Sequence, residues 1–357
     1  MKMFVVVLLA GAFVGSAAPP PERLKGEDIF QLVSAALVVD DSDEVIAERL
    51  RRIEPAEQFP EEAVRVLREM GAGQRTVKAL DAIGAASKIL PVPPVPVASA
   101  TPPSDVPGLL ARMTDYAFVH LQKLPNIVCT QTTQFYGESR EKLKAGWRAE
   151  DLVLEEVSYV DGAENYRTVR VNGQPDDRPI EKIRGAWNRG EFGSILAMTF
   201  DPSSEAHFTW DHLESLHGRP AAVFRYAVDR AHSKYQVCCL EMGSVTIHGV
   251  IQPRKKPWMS AYRGLVYADA ETGRILRIDY RNVNIPPESP LLDARHVIDY
   301  ASFAIGEKPY WLPSRVTHYI RTPQFRTRDE IQFSNYRKFD AESTILFPTE
   351  EAAPEPK

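Results

Sequence analysis

Between about Lys25 and Leu90, apolar side chains recur every three or four positions in four stripes. These are Ile29, Phe30, Val33 and Leu37; Val45, Ile46, Leu50 and Ile53; Val64, Leu67 and Met70; and Val77, Leu80, Ile83 and Ile89. The spacing predicts four short helices over 25–90. Asp41 with Glu44 three positions later resembles a capping box, Pro60 opens a helix ahead of Glu61 and Glu62, and Gly71 and Gly73 close it. So short a helical stretch buries little surface alone and must pack closely on itself or lean on something else.

Residues 91–107 carry seven prolines in PVPPVPVASATPPSDVP. Prolines at that density remove backbone donors and hold the chain extended, which predicts a semi-rigid spacer and a domain boundary. Beyond it Leu109, Leu110, Met113, Tyr116, Ala117 and His120 mark one amphipathic helix ending at Leu124-Pro125. The period then changes to two: Phe224, Tyr226 and Val228 alternate with Arg225, Ala227 and Asp229, Leu276, Ile278 and Tyr280 with Arg277 and Asp279, and Ile331 and Phe333 with Gln332 and Ser334. Turn signals at Asp161-Gly162, Asn172-Gly173, His217-Gly218, Thr272-Gly273 and Ile305-Gly306 join successive strands by short, antiparallel connections.

Roughly ten or eleven strands are expected by this count, with one helical interruption near Gly190 to Phe200. The predicted fold class is α+β: a large curved antiparallel sheet, a half-barrel, over 108–347, with covering helices and a small all-α module before it. A flat sheet of that width would expose an edge and a whole apolar face, so it must curl, and the two helices are the natural cover for its concave side. Residues 348–357 are expected to form a disordered tail.

Composition narrows the class further. The 357 residues are 44% hydrophobic and 25% charged, with 43 basic against 48 acidic side chains and a formal net charge of −5. That is ordinary for a globular chain and lacks the basic footprint of a nucleic-acid binder. Behind Met1-Lys2-Met3, Phe4 to Val14 form an apolar run, followed by the small residues Gly15-Ser16-Ala17-Ala18. This predicts a signal peptide over 1–17, cut after Ala17, and a periplasmic or secreted mature chain. The run is too short to cross a bilayer core of about 30 Å as a helix, so no transmembrane anchor is expected. No Cys follows it to accept a lipid.

Cys129, Cys238 and Cys239 could supply one disulfide in an oxidising compartment, leaving one thiol over; buried free thiols are the equal alternative. His207, Asp211, His212 and His217 form the densest group of potential metal or acid-base residues. On a strand His207 and Asp211 stand about 13 Å apart, too far to share an ion, so no metal is expected. His120, His232, His248, His296 and His318 are scattered and read as satisfied surface or core residues. Ser194 reads as a helix cap rather than a nucleophile, and Glu155 and Glu156 fall on opposite faces of a strand. Arg254-Lys255-Lys256 reads as a solvated loop tip. No nucleophile elbow, zinc-protease or nucleotide-binding motif occurs, so neither catalytic residues nor a cofactor are expected.

The lead helix, long antiparallel meander, internal helix and the hairpin Tyr262-Arg-Gly-Leu-Val-Tyr-Ala-Asp-Ala-Glu-Thr-Gly-Arg-Ile-Leu-Arg277 together resemble the bacterial lipoprotein-carrier half-barrels (LolA/LolB-like) over roughly 105–347. The chain also resembles a group of uncharacterised exported bacterial proteins around Glu156 to Arg167 and Gly190 to Ser194. The first resemblance implies a curved sheet that holds acyl chains or acts as a sensor. The expected function is an exported soluble binding protein holding a lipid or lipoprotein acyl chain on the concave face. A ligand-free interaction or sensory module with an envelope protein partner is the alternative, and a hydrolase a third reading.

Overall fold

In a computed structural model, the described residues are 22–38, 40–139, 147–183, 190–237, 258–285, 289, 291–323 and 325–339. The expected signal peptide 1–17, Cys238 and Cys239, the loop tip at Arg254 and the tail 348–357 lie outside them. The chain divides into two compact units, one up to Val97 and one from Ala98.

The first unit holds β1 (Glu22–Leu24), α1 (Gly26–Val38), α2 (Asp43–Leu50), β2 (Ile53–Pro55), α3 (Glu61–Glu69) and α4 (Gln74–Ser87), with β1 and β2 parallel. Its core is formed by Ile29, Phe30, Val33, Ile46, Leu50, Leu67 and Leu80, so the four predicted helices pack largely on themselves. Three details differ from the pattern. Ile53 belongs to β2 rather than to the second helix, because α2 ends at Leu50. Val45 and Ile89 point outward. The α2 N-cap is Ser42, whose hydroxyl accepts from the Val45 N–H at 3.3 Å, in place of the expected Asp41 box. Asp43, the first residue of α2, instead caps α4. Its carboxylate accepts from the N–H groups of Arg75 and Thr76 at 2.9 and 2.8 Å, and Gly73, the α4 N-cap, offers no side chain of its own.

The proline-rich segment is less free than a spacer. Proline lacks an N–H but keeps its carbonyl, and Pro91 O accepts from the Gln58 N–H at 2.8 Å. Val97 is buried, and Ala98–Ser99 form β3, paired with Glu214 and Leu213. The boundary between the units therefore falls inside the expected linker, not around it.

The second unit continues with α5 (Val106–Lys123), β4 (Ile127–Ser139), β5 (Arg148–Val160), β6 (Ala163–Val171), β7 (Gln174–Pro175), α6 (Ser194–Phe200), β8 (His207–Leu216) and β9 (Arg219–Val228). There follow β10 (Gln236–Val237), β11 (Trp258–Met259), β12 (Ala261–Asp269), β13 (Ile275–Val283), β14 (Asp293–Ile305), β15 (Lys308–Arg321) and β16 (Phe325–Lys338). Twelve strands make one antiparallel sheet in the order β3-β8-β9-β12-β13-β14-β15-β16-β4-β5-β6-β7; β10 and β11 pair apart. The sheet is open, a half-barrel in an α+β unit. It is not one continuous meander: β16 returns to pair with β4, and the chain crosses from the edge strand β7 to the opposite side of the sheet at β8, next to the edge strand β3, through α6. That crossover is what carries α6 over a sheet face.

The turns are those the sequence marks. Asp161-Gly162, Asn172-Gly173 and His217-Gly218 all have positive φ at both positions, the geometry that matches the twist of flanking strands. At Asp269 the carboxylate accepts from the N–H groups of Glu271 and Thr272, closing the β12–β13 hairpin. Gly273 (φ +72°) also admits α5: a Cβ there would stand 2.6 Å from the Arg112 backbone.

Candidate functional site

Period-two alternation sends one set of side chains to the concave face. Phe224, Val266, Ile278, Ile298, Val316 and Ile331 are directly paired from β9 to β16 and form one apolar row, all buried. Over it lie Leu109, Met113 and Ala117 of α5, spaced four apart on one helix face, and Phe192, Ile195, Leu196 and Phe200 at α6. Aromatic rings complete the layer: Tyr226 meets Tyr262 edge-on at 6.2 Å, and Phe192 meets Phe333 edge-on at 5.2 Å. The predicted cover is thus the observed one, and its helices fill the concave side.

One pleat away the paired row reads Tyr226, Gly264, Tyr280, His296, His318, Asp329 and Phe135. Its centre is polar yet buried; His296, His318 and Asp329 are 2%, 1% and 1% exposed. Tyr280 stacks on His296 at 4.6 Å, and the His296 and His318 rings meet edge-on at 4.7 Å. Tyr235 O–H lies 3.1 Å from His296 Nε2. From the α6 side Glu191 reaches in: its Oε1 is 3.6 Å from His318 Nε2, while its Oε2 accepts from Tyr166 O–H at 2.8 Å. Tyr166 O–H also reaches Glu164 at 2.6 Å, and Glu164 accepts from the Gly190 N–H.

Electrostatics follow from that burial. Desolvation, with His318 adding to it, holds His296 well below the usual imidazole range, hence neutral. Desolvation likewise lifts the Asp329 carboxyl well above its usual range. Glu164 and Glu191 split: burial and the Glu191 charge raise Glu164, whereas burial of Glu191 is outweighed by His318 and the Tyr166 hydroxyl together, which lower it. Several polar atoms of this band and beside it have no hydrogen-bond partner, namely His296 Nδ1, His318 Nε2, both Asp329 oxygens, both side-chain polar atoms of Asn282, and Thr327 Oγ1. Asp329 and His318 stand 4.0 Å apart, beyond hydrogen-bond reach.

The residues singled out in the sequence sit elsewhere. Cys129 is a buried free thiol on the inner face of β4, its pKa pushed up by burial. Ser194 is not the cap of α6; Gly193 is, and the Ser194 hydroxyl donates to Glu164 at 3.3 Å. Glu155 is buried and accepts from Gln131, while Glu156 pairs with Arg167, on opposite faces as expected. His207, Asp211 and His212 lie on a strand, with Asp211 an extra, unpaired residue between Trp210 and His212. On the convex face His212 is held by Asp211 at 2.6 Å and Glu214 at 2.9 Å, and His217 lies 3.5 Å from Asp299. Among the described residues no cluster fit for a metal ion occurs. His120, His296 and His318 each have a buried ring nitrogen without a hydrogen bond, against the expectation of satisfied histidines, and of these His296 and His318 pair across β14 and β15. They lie far apart in sequence, but register makes them neighbours.

No family model matches the sequence, and no curated protein is similar to it. Solved structures similar in arrangement include a LolA-superfamily protein from Nitrosomonas europaea, at 9% identity and TM-score 0.32, covering 66% of this chain and 93% of that one. Another is an outer membrane lipoprotein-sorting protein domain from Vibrio parahaemolyticus, at 11% identity and TM-score 0.31, covering 63% and 90%. A third is a DUF1329-family protein from Desulfovibrio piger, at 10% identity and TM-score 0.30, covering 66% and 94%. Among the described residues no helix is long and apolar enough to cross a membrane.

Proposed function

We propose that this chain is an exported, non-enzymatic binding protein of the cell envelope that carries an apolar ligand, a lipid or a lipoprotein acyl chain, on the concave face of its half-barrel. The observation that carries the reading is the apolar row from Phe224 to Ile331, covered by α5 and a seven-residue α6 that lacks a side-chain cap. Burial of such a layer is favourable whoever supplies the covering surface, about 25 cal/mol per Å². A ligand chain that takes the place of α6 restores the burial of the sheet face, against the cost of exposing the apolar face of α6 and of breaking the Tyr262–Met198 hydrogen bond. Delipidated protein titrated with a fluorescent fatty acyl probe should saturate at micromolar concentration with one site; no uptake contradicts the reading.

A second reading, an interaction or sensory module without ligand, has its own support. Met113, Ala117, Ile195 and Leu196 are already at most 1% exposed, so the face is filled by the protein itself. Recovery of one envelope protein at stoichiometric level, with no lipid bound, favours it.

A further inference from the structure

The apolar row suits the tail of a ligand; the buried polar band beside it bears on the other end. We propose that His296 and Asp329, on either side of His318 and with Asn282 at the end of the band, receive the neutral hydrogen-bonding head, with its hydroxyls, of an otherwise apolar ligand of the monoacylglycerol type. This rests on the binding reading and goes further by naming the ligand's chemistry.

Buried polar groups are almost always hydrogen-bonded, because a buried donor or acceptor left without a partner is costly. Here His296 Nδ1, both Asp329 oxygens and both polar side-chain atoms of Asn282 lack a partner; His296 and Asp329 share one inward row on β14 and β16 with His318 of β15 between them, and Asn282 lies one pleat along β13, the strand next to β14. Together they offer donors and acceptors, which suits a group that is itself both. The band does not suit an anion. The arginines of the same strands, Arg281, Arg295 and Arg328, alternate onto the opposite face, where Arg281 pairs with Asp293 and Arg295 with Asp279. A carboxylate or phosphate would enter without a countercharge from them, at a large desolvation cost. A cation fares no better, since Glu191, the carboxylate held low, is already engaged by His318 and Tyr166. The apolar row lies one pleat away, about 7 Å along the strands. A head at His296 and Asp329 thus places an acyl chain along Ile278, Ile298, Val316 and Ile331.

The test is binding of three probes to the full delipidated chain at pH 8: monopalmitoylglycerol, palmitate and an uncharged apolar fluorophore. Monopalmitoylglycerol should bind at least about tenfold tighter than palmitate, a difference of about 1.4 kcal/mol. Asp329→Leu and His296→Phe should lose that preference while holding the fluorophore within about twofold. Asp329→Asn, which keeps a donor and an acceptor, should retain it and guards against misfolding of the leucine variant. Palmitate binding as tightly as the glyceride, or leucine and phenylalanine variants that keep the preference, overturns the head-group assignment and leaves the carrier reading standing. Failure of all three probes to bind overturns both.

Discussion

The Tyr262 hydroxyl donates to the Met198 carbonyl at 2.9 Å, tying α6 to β12 across the concave face. The Tyr262 ring itself is locked between Tyr226 and Tyr280, edge-on at 6.2 and 6.4 Å. Tyr262→Phe keeps the ring and removes the tie, leaving a buried carbonyl short of a donor. The expected cost is about 1–2 kcal/mol in denaturant unfolding. If α6 is the element a ligand displaces, the same variant should bind an acyl probe more tightly than the parent, because less cover must be undone.

Gly264 separates Tyr226 from Tyr280 in the polar-centred row. A Cβ there would stand 1.8 Å from the Asp279 carbonyl oxygen and 2.8 Å from the Tyr280 Cα, both backbone atoms that cannot yield without moving β13. Gly264→Ala is therefore expected to destabilise the sheet domain by more than about 3 kcal/mol or to prevent folding, above the usual range for a point change. Soluble yield and the midpoint of thermal unfolding measure it.

In the first unit the α4 cap is supplied from α2. Asp43→Ala removes both acceptors and should cost about 1–2 kcal/mol, the usual worth of a helix cap. A Cβ at Gly73 would lie 2.3 Å from the Asp43 carboxyl carbon, so Gly73→Ser alone should also destabilise. The two together should recover part of the loss, since the serine then has room and can cap α4 itself. Chemical unfolding of the four proteins in the cycle gives the coupling.

Two histidines set opposite limbs of a stability profile. Burial disfavours the His212 cation, but Asp211 and Glu214 on its two ring nitrogens outweigh it and raise its pKa to about 9. A raised pKa stabilises the fold fully below the unfolded value near 6.5 and loses that contribution as pH rises through about 9. His296 is shifted the other way by burial and His318, so its contribution is present above about 6.5 and lost as pH falls. The unfolding midpoint should fall on both sides of about pH 6.5. His212→Asn should flatten the alkaline limb and His296→Asn the acid limb, read from thermal scans between pH 5 and pH 9.

Alternation and turn chemistry made much of the sheet legible in advance. Phe224, Tyr226 and Val228 face inward as their pattern requires, and each Asx-Gly or His-Gly pair closes a hairpin. What periodicity cannot show is non-local pairing. Nothing local in Phe325–Lys338 says that its partner is Ile127–Ser139, so the return of β16 to β4, and with it the crossover that lays α6 on the sheet, was not foreseen. The polar band was missed for the same reason: His296 and His318 become neighbours only through the β14–β15 register. A local sign did exist. Each histidine occupies an inward position between apolar residues two places away, Ala294 and Ile298 for one, Val316 and Ile320 for the other. In the first unit Asp43 was obscured because its cap reaches a different helix.

The most direct test of the account is native mass spectrometry of the mature protein taken from its own envelope, with lipid extraction of the same sample. A stoichiometric adduct of acyl-lipid mass, released on extraction and identified as a lipid with an uncharged head, is the predicted result. A bare protein mass in gentle ionisation, with no lipid in the extract, would contradict it.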